Sequence, residues 1–534
     1  MSDFQRAARQ TAPCASPQIT LPLAAALLLL GGANVASAKA PALAKASVPA
    51  ASASVIVTVA GDLTPAHESQ LRALGAGVYR RLPLIHAVAL RLPAPKLAAL
   101  RALPWVTHVS PDSAVHKTDE FTVGSSGANQ AYGTNPLGRP YKLTGQGVAV
   151  AVLDSGINIG RDLRTNGATV AARVSFVPGP PTVDDPCGHG THVAGIIGGS
   201  GASSTGPRFF HTFTGIAPQA RLVSVRVLNA QGQGDVSTVI AGIQWAVANK
   251  LRYNIRVLNL SLGHPVGESC QTDPLCLAAE AAWQSGITVV CAAGNAGRSQ
   301  TTVDASNSDN EGYGTAYGSI ESPGNDPYVI TVGATKRTLL ADGVTTDPNR
   351  ADDKVATYSS RGPSRLDFVL KPDLVAPGNR VISLDVNHST LENAYGATNH
   401  VPVSAYASGP VSGDSNAYYT LSGTSMAAPV VAGAAALLLQ ANPLLTPDTI
   451  KARLMVSADK ITRPDGTSDP CTYGAGYVNI PAALSCPLTL GLPALSPVLT
   501  TDDQGNVLVE PLHITWGDTT GVSHITWGDH ITWG

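Results

Sequence analysis

Charge is scarce in this chain. Asp, Glu, Lys and Arg make up 13% of its 534 residues, and the formal net charge is −2. So low a charge density does not suit a disordered protein. So near-neutral a balance supplies no basic surface for nucleic acid or for an anionic membrane, and neither is expected as a partner. Beyond the N-terminus no run approaches the roughly 20 apolar residues of a membrane-spanning helix. Cys-x-x-Cys pairs and the His-Glu-x-x-His pattern are missing, so nothing in the sequence signals zinc. No calcium-loop pattern is visible either, so a calcium site has no address in the sequence.

What the chain does have is apolar material. Hydrophobic residues make up 44%, and Gly 53 and Pro 39 supply turns and loops around a core. The length exceeds one average domain, so a large domain with appendages is expected. Residues 1–38 read as a secretory signal: Arg6 and Arg9, then an apolar run over 21–30, then Ala36-Ser37-Ala38 as a small-residue cleavage pattern. The alternative is an N-terminal anchor, for which the run is short. Export implies an extracellular, oxidising setting, with no membrane span after signal removal. Of seven cysteines, Cys14 leaves with the signal. Cys270 with Cys276, and Cys471 with Cys486, are then candidate disulfides. Cys187, two residues before His189, is a candidate nucleophile with a weaker context than Ser425.

Residues 39–53 are rich in Ala, Ser, Pro and Lys and read as a spacer. Residues 54–115 read as a small α+β unit, with strands at 55–59, 87–92 and 105–109 and helices at 65–74 and 96–103. After Gly147, apolar strands alternate with helices: strands at 148–153, 222–227, 255–260, 287–292 and 328–332, helices at 236–248 and 275–283. Asp235 stands where an N-cap for the first of these helices belongs. Such alternation indicates an α/β fold, a parallel sheet with helices on both faces. Sites in open sheets of this kind lie at the carboxyl ends of strands, where Asp154 and Asn295 stand. Beyond Cys486 a Pro/Leu-rich linker leads to His-Ile-Thr-Trp-Gly at His513, His524 and His530, with Asp518 and Asp529 after the first two copies. That tail is too short to build its own core.

Three segments carry chemistry. Gly423-Thr424-Ser425-Met426-Ala427-Ala428-Pro429 places a serine at the mouth of a small-residue helix predicted over 426–440. Asp154-Ser155-Gly156 follows a strand, and His189-Gly190-Thr191-His192-Val193-Ala194-Gly195 supplies a histidine. A serine hydroxyl needs a base to take its proton and a carboxylate to orient that base. A helix N-terminus offers free N–H groups to an oxyanion. The order Asp, His, Ser is that of subtilisin. An esterase would favour Gly-x-Ser-x-Gly and the order Ser, Asp, His, but Ala427 stands where the second glycine belongs.

These three motifs resemble the subtilisin-like (subtilase) serine peptidases over roughly residues 147–486. The resemblance implies Asp154, His189 and Ser425 as the triad. His192, beside Val193 and Ala194, reads as structural, and Asp185, four residues before His189, reads as a cleft-rim residue or a rival orienter. It implies Asn295, in Ala292-Ala293-Gly294-Asn295, as side-chain oxyanion donor. Ser261-Leu262-Gly263 matches the segment that pairs with substrate backbone, and Glu321 falls where the floor of the S1 pocket often carries glycine. Residues 39–120 then correspond to an inhibitory propeptide, 121–487 to the peptidase domain, and 488–534 to linker and tail. The implied activity is a secreted serine endopeptidase acting on proteins and peptides through an acyl-enzyme. It would be inhibited by its own propeptide, need no cofactor for chemistry, and be monomeric. Structural calcium is common in the family. The alternative is a catalytically inactive adhesin or binding protein on the same fold. The stretches 300–318, 336–356 and 389–416 look longer than in a minimal member.

Overall fold

The computed structural model describes residues 52–117, 126, 128–134, 140–167, 169–179, 182–300, 312–337, 353–408, 414–461, 469–501 and 507–510. The signal sequence and the tail repeats lie outside the described residues.

The N-terminal unit is an antiparallel sheet of β1 (Ser52–Val59), β2 (Gly77–Leu82), β3 (Ala87–Pro93) and β4 (Val106–Pro111), in the order β2-β3-β1-β4. Helices α1 (Pro65–Ala73) and α2 (Leu97–Arg101) cover one face. Alternation along β1 explains why this sheet is apolar on both sides. Val55, Val57 and Val59 join Leu71, Leu100 and Trp105 in the unit's own core, whereas Ile56 belongs to the core of the large domain. Thr64, before Pro65, accepts from His67 N and caps α1. β2 was not expected: Gly-Val-Tyr-Arg-Arg-Leu has no apolar alternation, and pairing with β3 specifies it.

Next come β5 (Ala114–Lys117), β6 (Ala149–Asp154), β7 (Thr169–Ser175), α3 (His189–Gly198), β8 (Arg221–Arg226), β9 (Gln233–Asp235) and α4 (Val236–Ala248). They are followed by β10 (Ile255–Leu260), β11 (Leu262–Pro265), α5 (Pro274–Gln284), β12 (Thr288–Ala292), β13 (Glu321–Ser322), β14 (Ile330–Lys336), β15 (Lys354–Val355) and β16 (Leu374–Pro377). The central sheet runs β15-β14-β12-β10-β6-β8-β7, with β16 also beside β14. Every pairing is parallel except β15 with β14. All six residues of β6 are buried, as a strand covered on both faces requires. Asp273 and Thr446 each precede a proline and cap α5 and the later helix Pro447–Val456 by accepting Leu275 N and Thr449 N.

Further along come α6 (Thr390–Asn399), packed on a three-stranded sheet of β17 (Val381–Leu384), β18 (His400–Pro402) and β19 (Asp414–Leu421), then α7 (Thr424–Ala441) and α8 (Pro447–Val456). Helix α7 is long and apolar enough to cross a membrane, but 89% of it is buried inside this fold. Its alanines let it lie against β10, β12, β14 and β16. The α/β architecture expected from the sequence, with a small α+β unit ahead of it, is the observed one.

Two expectations are corrected. Cys270, Cys276, Cys291 and Cys486 are free thiols, so neither expected pair, Cys270 with Cys276 or Cys471 with Cys486, forms a disulfide among the described residues. Cys276 sits in the first turn of α5 with its Sγ 3.2 Å from Asn325 Oδ1 and 3.6 Å from Ser322 Oγ, so it faces the core rather than Cys270. The second concerns residues 488–501, which are docked on the large domain rather than strung out as a linker. Arg453 Nε donates to Leu488 O, Ala494 N donates to Asp448 Oδ1, and Leu370 N donates to Pro497 O.

Candidate active site

Neighbouring parallel strands end at one edge, and that is what assembles the site. β6 ends in Asp154, β10 is followed by Ser261, and β12 is followed within three residues by Asn295. Helices α3 and α7, opening at His189 and at Thr424-Ser425, pack against each other over the same sheet.

His189 Nδ1 lies 2.8 Å from Asp154 Oδ1 and 2.9 Å from Oδ2, and both side chains are fully buried. A carboxylate that grips Nδ1 leaves Nε2 as the nitrogen available for proton exchange. Gly190 lets the ring come that close. A Cβ there would lie 2.2 Å from Gly156 O and 3.1 Å from Asp154 Cβ. Gly156 has φ +121 and is itself pressed against Asp184 O, so the turn after Asp154 also demands glycine.

Ser155 and Asp185 complete this corner. Ser155 Oγ donates to Asp185 Oδ1 at 2.7 Å and accepts from Gly190 N at 3.0 Å. Ser155 N donates to Asp154 Oδ1 at 2.7 Å. Asp185 also accepts from Cys187 N, Gly188 N and Thr191 N. It is buried beneath the N-terminus of α3 rather than on the cleft rim, and its carboxylate is taken up by Ser155 and these backbone donors. Burial pushes its carboxyl up, while the donors from Thr191, Ser155 and Gly188 pull the other way. His192 turns Nε2 toward the carbonyls of Val381 and Tyr419 at 3.1 and 3.2 Å, a structural position. Cys187 is buried beside this turn.

Ser425, buried, donates from Oγ to Ser261 O at 3.0 Å, and Ser261 Oγ donates back to Ser425 O at 2.7 Å. Asn259 Nδ2 donates to Ser261 Oγ at 2.8 Å, so β10 holds Ser261 and Ser261 holds Ser425. Asn295 Oδ1 accepts from Thr424 N at 3.0 Å and Thr424 Oγ1 at 3.1 Å. A backbone N–H can only donate, so it fixes which end of the amide is oxygen. The Nδ2 donor is thereby directed away from Thr424, and Asn295 itself is only partly buried. Thr424, Ser155 and Asp185 act through neighbours; no periodicity or spacing signals the first two, and Asp185, which the sequence offers, takes a different place from the one expected.

Leu262 and Gly263 open β11 and pair antiparallel with β5. β5 also pairs with β9 on its other side, so the end of the N-terminal unit lies as a strand between Gln233–Asp235 and Leu262–Pro265. Glu321 is buried, 8% exposed, and its side chain reaches between two glycines. A Cβ on Gly294 would lie 2.8 Å from Glu321 Cγ, and one on Gly263 would lie 2.8 Å from Oε2. The carboxylate therefore stands beside the residue before Asn295 and beside the strand that carries Gly263.

The subtilase family model matches residues 145–476. The serine protease AprX of Bacillus subtilis (strain 168) is 39% identical over 349 residues, 63% of this chain and 66% of that protein. Subtilisin Savinase of Lederbergia lenta is 35% identical over 341 residues, 64% of this chain and 92% of its own length. Among solved structures, fervidolysin from Fervidobacterium pennivorans, a keratinolytic enzyme related to subtilisin, aligns with a TM-score of 0.56 at 22% identity. That alignment covers 85% of this chain and 64% of that one, and it bears on the fold alone.

Proposed function

The chain belongs to the subtilase family, and we propose that it is a secreted serine endopeptidase made as a self-inhibited precursor. The observation that carries this reading is the His189 Nδ1 contact with both oxygens of buried Asp154, at the sheet edge that also holds Ser425 and Asn295. Ser425 Oγ attacks the scissile carbonyl carbon while His189 Nε2 takes the hydroxyl proton. Asp154 stabilises the imidazolium that forms. The carbonyl oxygen becomes an oxyanion held by Asn295 Nδ2 and the Ser425 backbone N–H at the mouth of α7. Collapse expels the amine, protonated by His189, and leaves an acyl-enzyme. Water, deprotonated by the same nitrogen, then releases the acid and restores Ser425. Protein and peptide substrates follow from that chemistry.

The precursor reading rests on β5. An extended segment between β9 and β11 occupies the position a substrate backbone would take, and pairing continues toward Ser261. Residues 39–120 thus act as propeptide, with cleavage between 115 and 125. Glu321 sets the primary specificity: a carboxylate between Gly263 and Gly294 favours Lys or Arg at P1.

The test is hydrolysis of casein and of a fluorogenic peptide by the purified chain, with and without a serine-reactive inhibitor. Ser425→Ala should lower kcat by on the order of 10⁶ and leave the precursor uncleaved. Normal turnover by that variant rules out the triad. A correctly folded wild-type chain with no activity after propeptide removal leaves the binding-protein reading in its place.

A further inference from the structure

The insertion between β17 and β19 brings together three side chains that the peptidase chemistry does not use. Asp385 follows β17, Glu392 lies in the first turn of α6, and His400 opens β18. His400 Nε2 is 3.2 Å from Asp385 Oδ2 and 3.3 Å from Glu392 Oε1. Each carboxylate has its other oxygen fixed by backbone. Val386 N donates to Asp385 Oδ1 at 2.8 Å, and His388 N donates to Glu392 Oε2. Asp385 Oδ2, on a side chain only 3% exposed, is aimed at the imidazole and has no hydrogen-bond partner beyond it among the described residues. Tyr419 meets the His400 ring edge-on, with centroids 5.6 Å apart, and so holds the ring's orientation.

Two carboxylate oxygens converging on one imidazole nitrogen are more than a neutral imidazole can satisfy, since its Nε2–H offers a single donor. A cation would stabilise both charges. Ligand atoms around a tetrahedral ion with bonds of about 2.0–2.1 Å lie about 3.3 Å apart. The two nitrogen–oxygen separations here match that spacing, and all three ligand atoms fall within 4.8 Å of one another.

The geometry points to a zinc-class divalent metal site formed by Asp385, Glu392 and His400, with a fourth position open to water. The imidazole favours a transition metal, whereas calcium seeks about 6–8 oxygen ligands. The site braces the catalytic corner. Thr390 N donates to Pro186 O at 2.9 Å and Leu391 N to Cys187 O at 3.1 Å, so the start of α6 rests on the turn that leads into His189. The assignment does not depend on the peptidase reading.

The experiment uses the full chain carrying Ser425→Ala, stripped with a chelator and titrated with Zn²⁺ by calorimetry. Co²⁺ serves as the optical probe. One equivalent should bind, with tetrahedral d–d absorption for Co²⁺ and a rise in thermal midpoint. His400→Ala and Glu392→Gln should each weaken that binding by at least about 100-fold with an unchanged far-UV spectrum. Glu392→Gln keeps the shape of the side chain and serves if the histidine variant does not fold. Equal Zn²⁺ affinity in wild type and Glu392→Gln overturns the site and assigns the ion elsewhere, the tail histidines included. Binding of Ca²⁺ without Zn²⁺ overturns the zinc-class assignment.

Discussion

Asp112, in the N-terminal unit, caps a helix of the large domain at Ser237. Its Oδ1 accepts from Ser237 N at 2.8 Å and its Oδ2 from Ser237 Oγ at 2.6 Å. The cap expected within the helix itself, Asp235, occupies the N-cap position of α4 but makes no side-chain cap bond. A segment proposed to be removed on maturation therefore supplies a carboxylate where the helix dipole is positive. Tyr79 Oη also donates to Asp112, and burial and this carboxylate push the phenol up, which keeps it a donor.

The first prediction follows from that cap. Hydrogen bonds to a charged group contribute about 1.5–3 kcal/mol. The isolated segment 54–117 carrying Asp112→Ala should inhibit the mature enzyme at least about tenfold more weakly than the native segment. The measurement is Ki on a fluorogenic peptide. Equal Ki values would remove Asp112 from the inhibitory interface, and no inhibition by either segment would end the propeptide reading.

Truncation should separate the tail repeats from the docked segment before them. Lys451 is buried with its Nζ donating to Ser496 Oγ at 2.9 Å and Pro327 O at 2.6 Å, and Ser496 Oγ donates to Asp373 Oδ1 at 2.5 Å. Asp373 also accepts from Lys371, and the two lysines hold its carboxyl below the usual range against burial. A chain ending at Pro487 loses Ser496 and uncovers these charges. It should be less stable by on the order of 3 kcal/mol, whereas a chain ending at Glu510 should match the full length. Thermal midpoints in the Ser425→Ala background decide it, and equal midpoints for all three chains would mean the docked segment adds nothing.

Much of this was legible because buried parallel strands announce themselves as apolar runs. Val236–Ala248 carries an N-cap residue ahead of it and a small-residue, apolar body, and its bounds are those read from the sequence. Thr169–Ser175 and Leu374–Pro377 were not legible. The first is an edge strand of mixed polarity, and the second is four residues in a proline-rich stretch, specified by β14 beside it. At the site, the three motifs point to Asp154, His189 and Ser425 because each has a recognisable neighbourhood. Ser155, Thr424 and Asp112 act through contacts 35 to 130 residues away, and nothing local marks them.

Ser155 should matter to turnover without touching substrate. Its hydroxyl joins Asp185 to Gly190 N across the base of His189. Ser155→Ala leaves a buried carboxylate oxygen short of one donor and a buried N–H without its acceptor, a cost of about 1–3 kcal/mol in stability. Because the corner positions His189, kcat should fall by about tenfold with KM little changed. A variant that loses thermal stability but keeps kcat would confine Ser155 to a structural role.

The specificity prediction turns on what a buried carboxylate does when a P1 side chain arrives. Glu321 stands between Gly263 and Gly294, so its volume shortens the space a long apolar side chain would need, and its charge is unfavourable beside Leu or Phe. A Lys or Arg side chain instead brings a donor to the carboxylate out of water, where a charge-assisted hydrogen bond contributes about 1.5–3 kcal/mol. Matched peptides should therefore show kcat/KM about 10- to 100-fold higher for Lys or Arg than for Leu or Phe. Two variants separate charge from size. Glu321→Gln keeps the volume and should abolish the basic preference without admitting Phe efficiently. Glu321→Gly removes both and should move the optimum to Leu or Phe. If Leu or Phe already leads in the wild type and Glu321→Gly leaves the ranking unchanged, the carboxylate is not the specificity determinant.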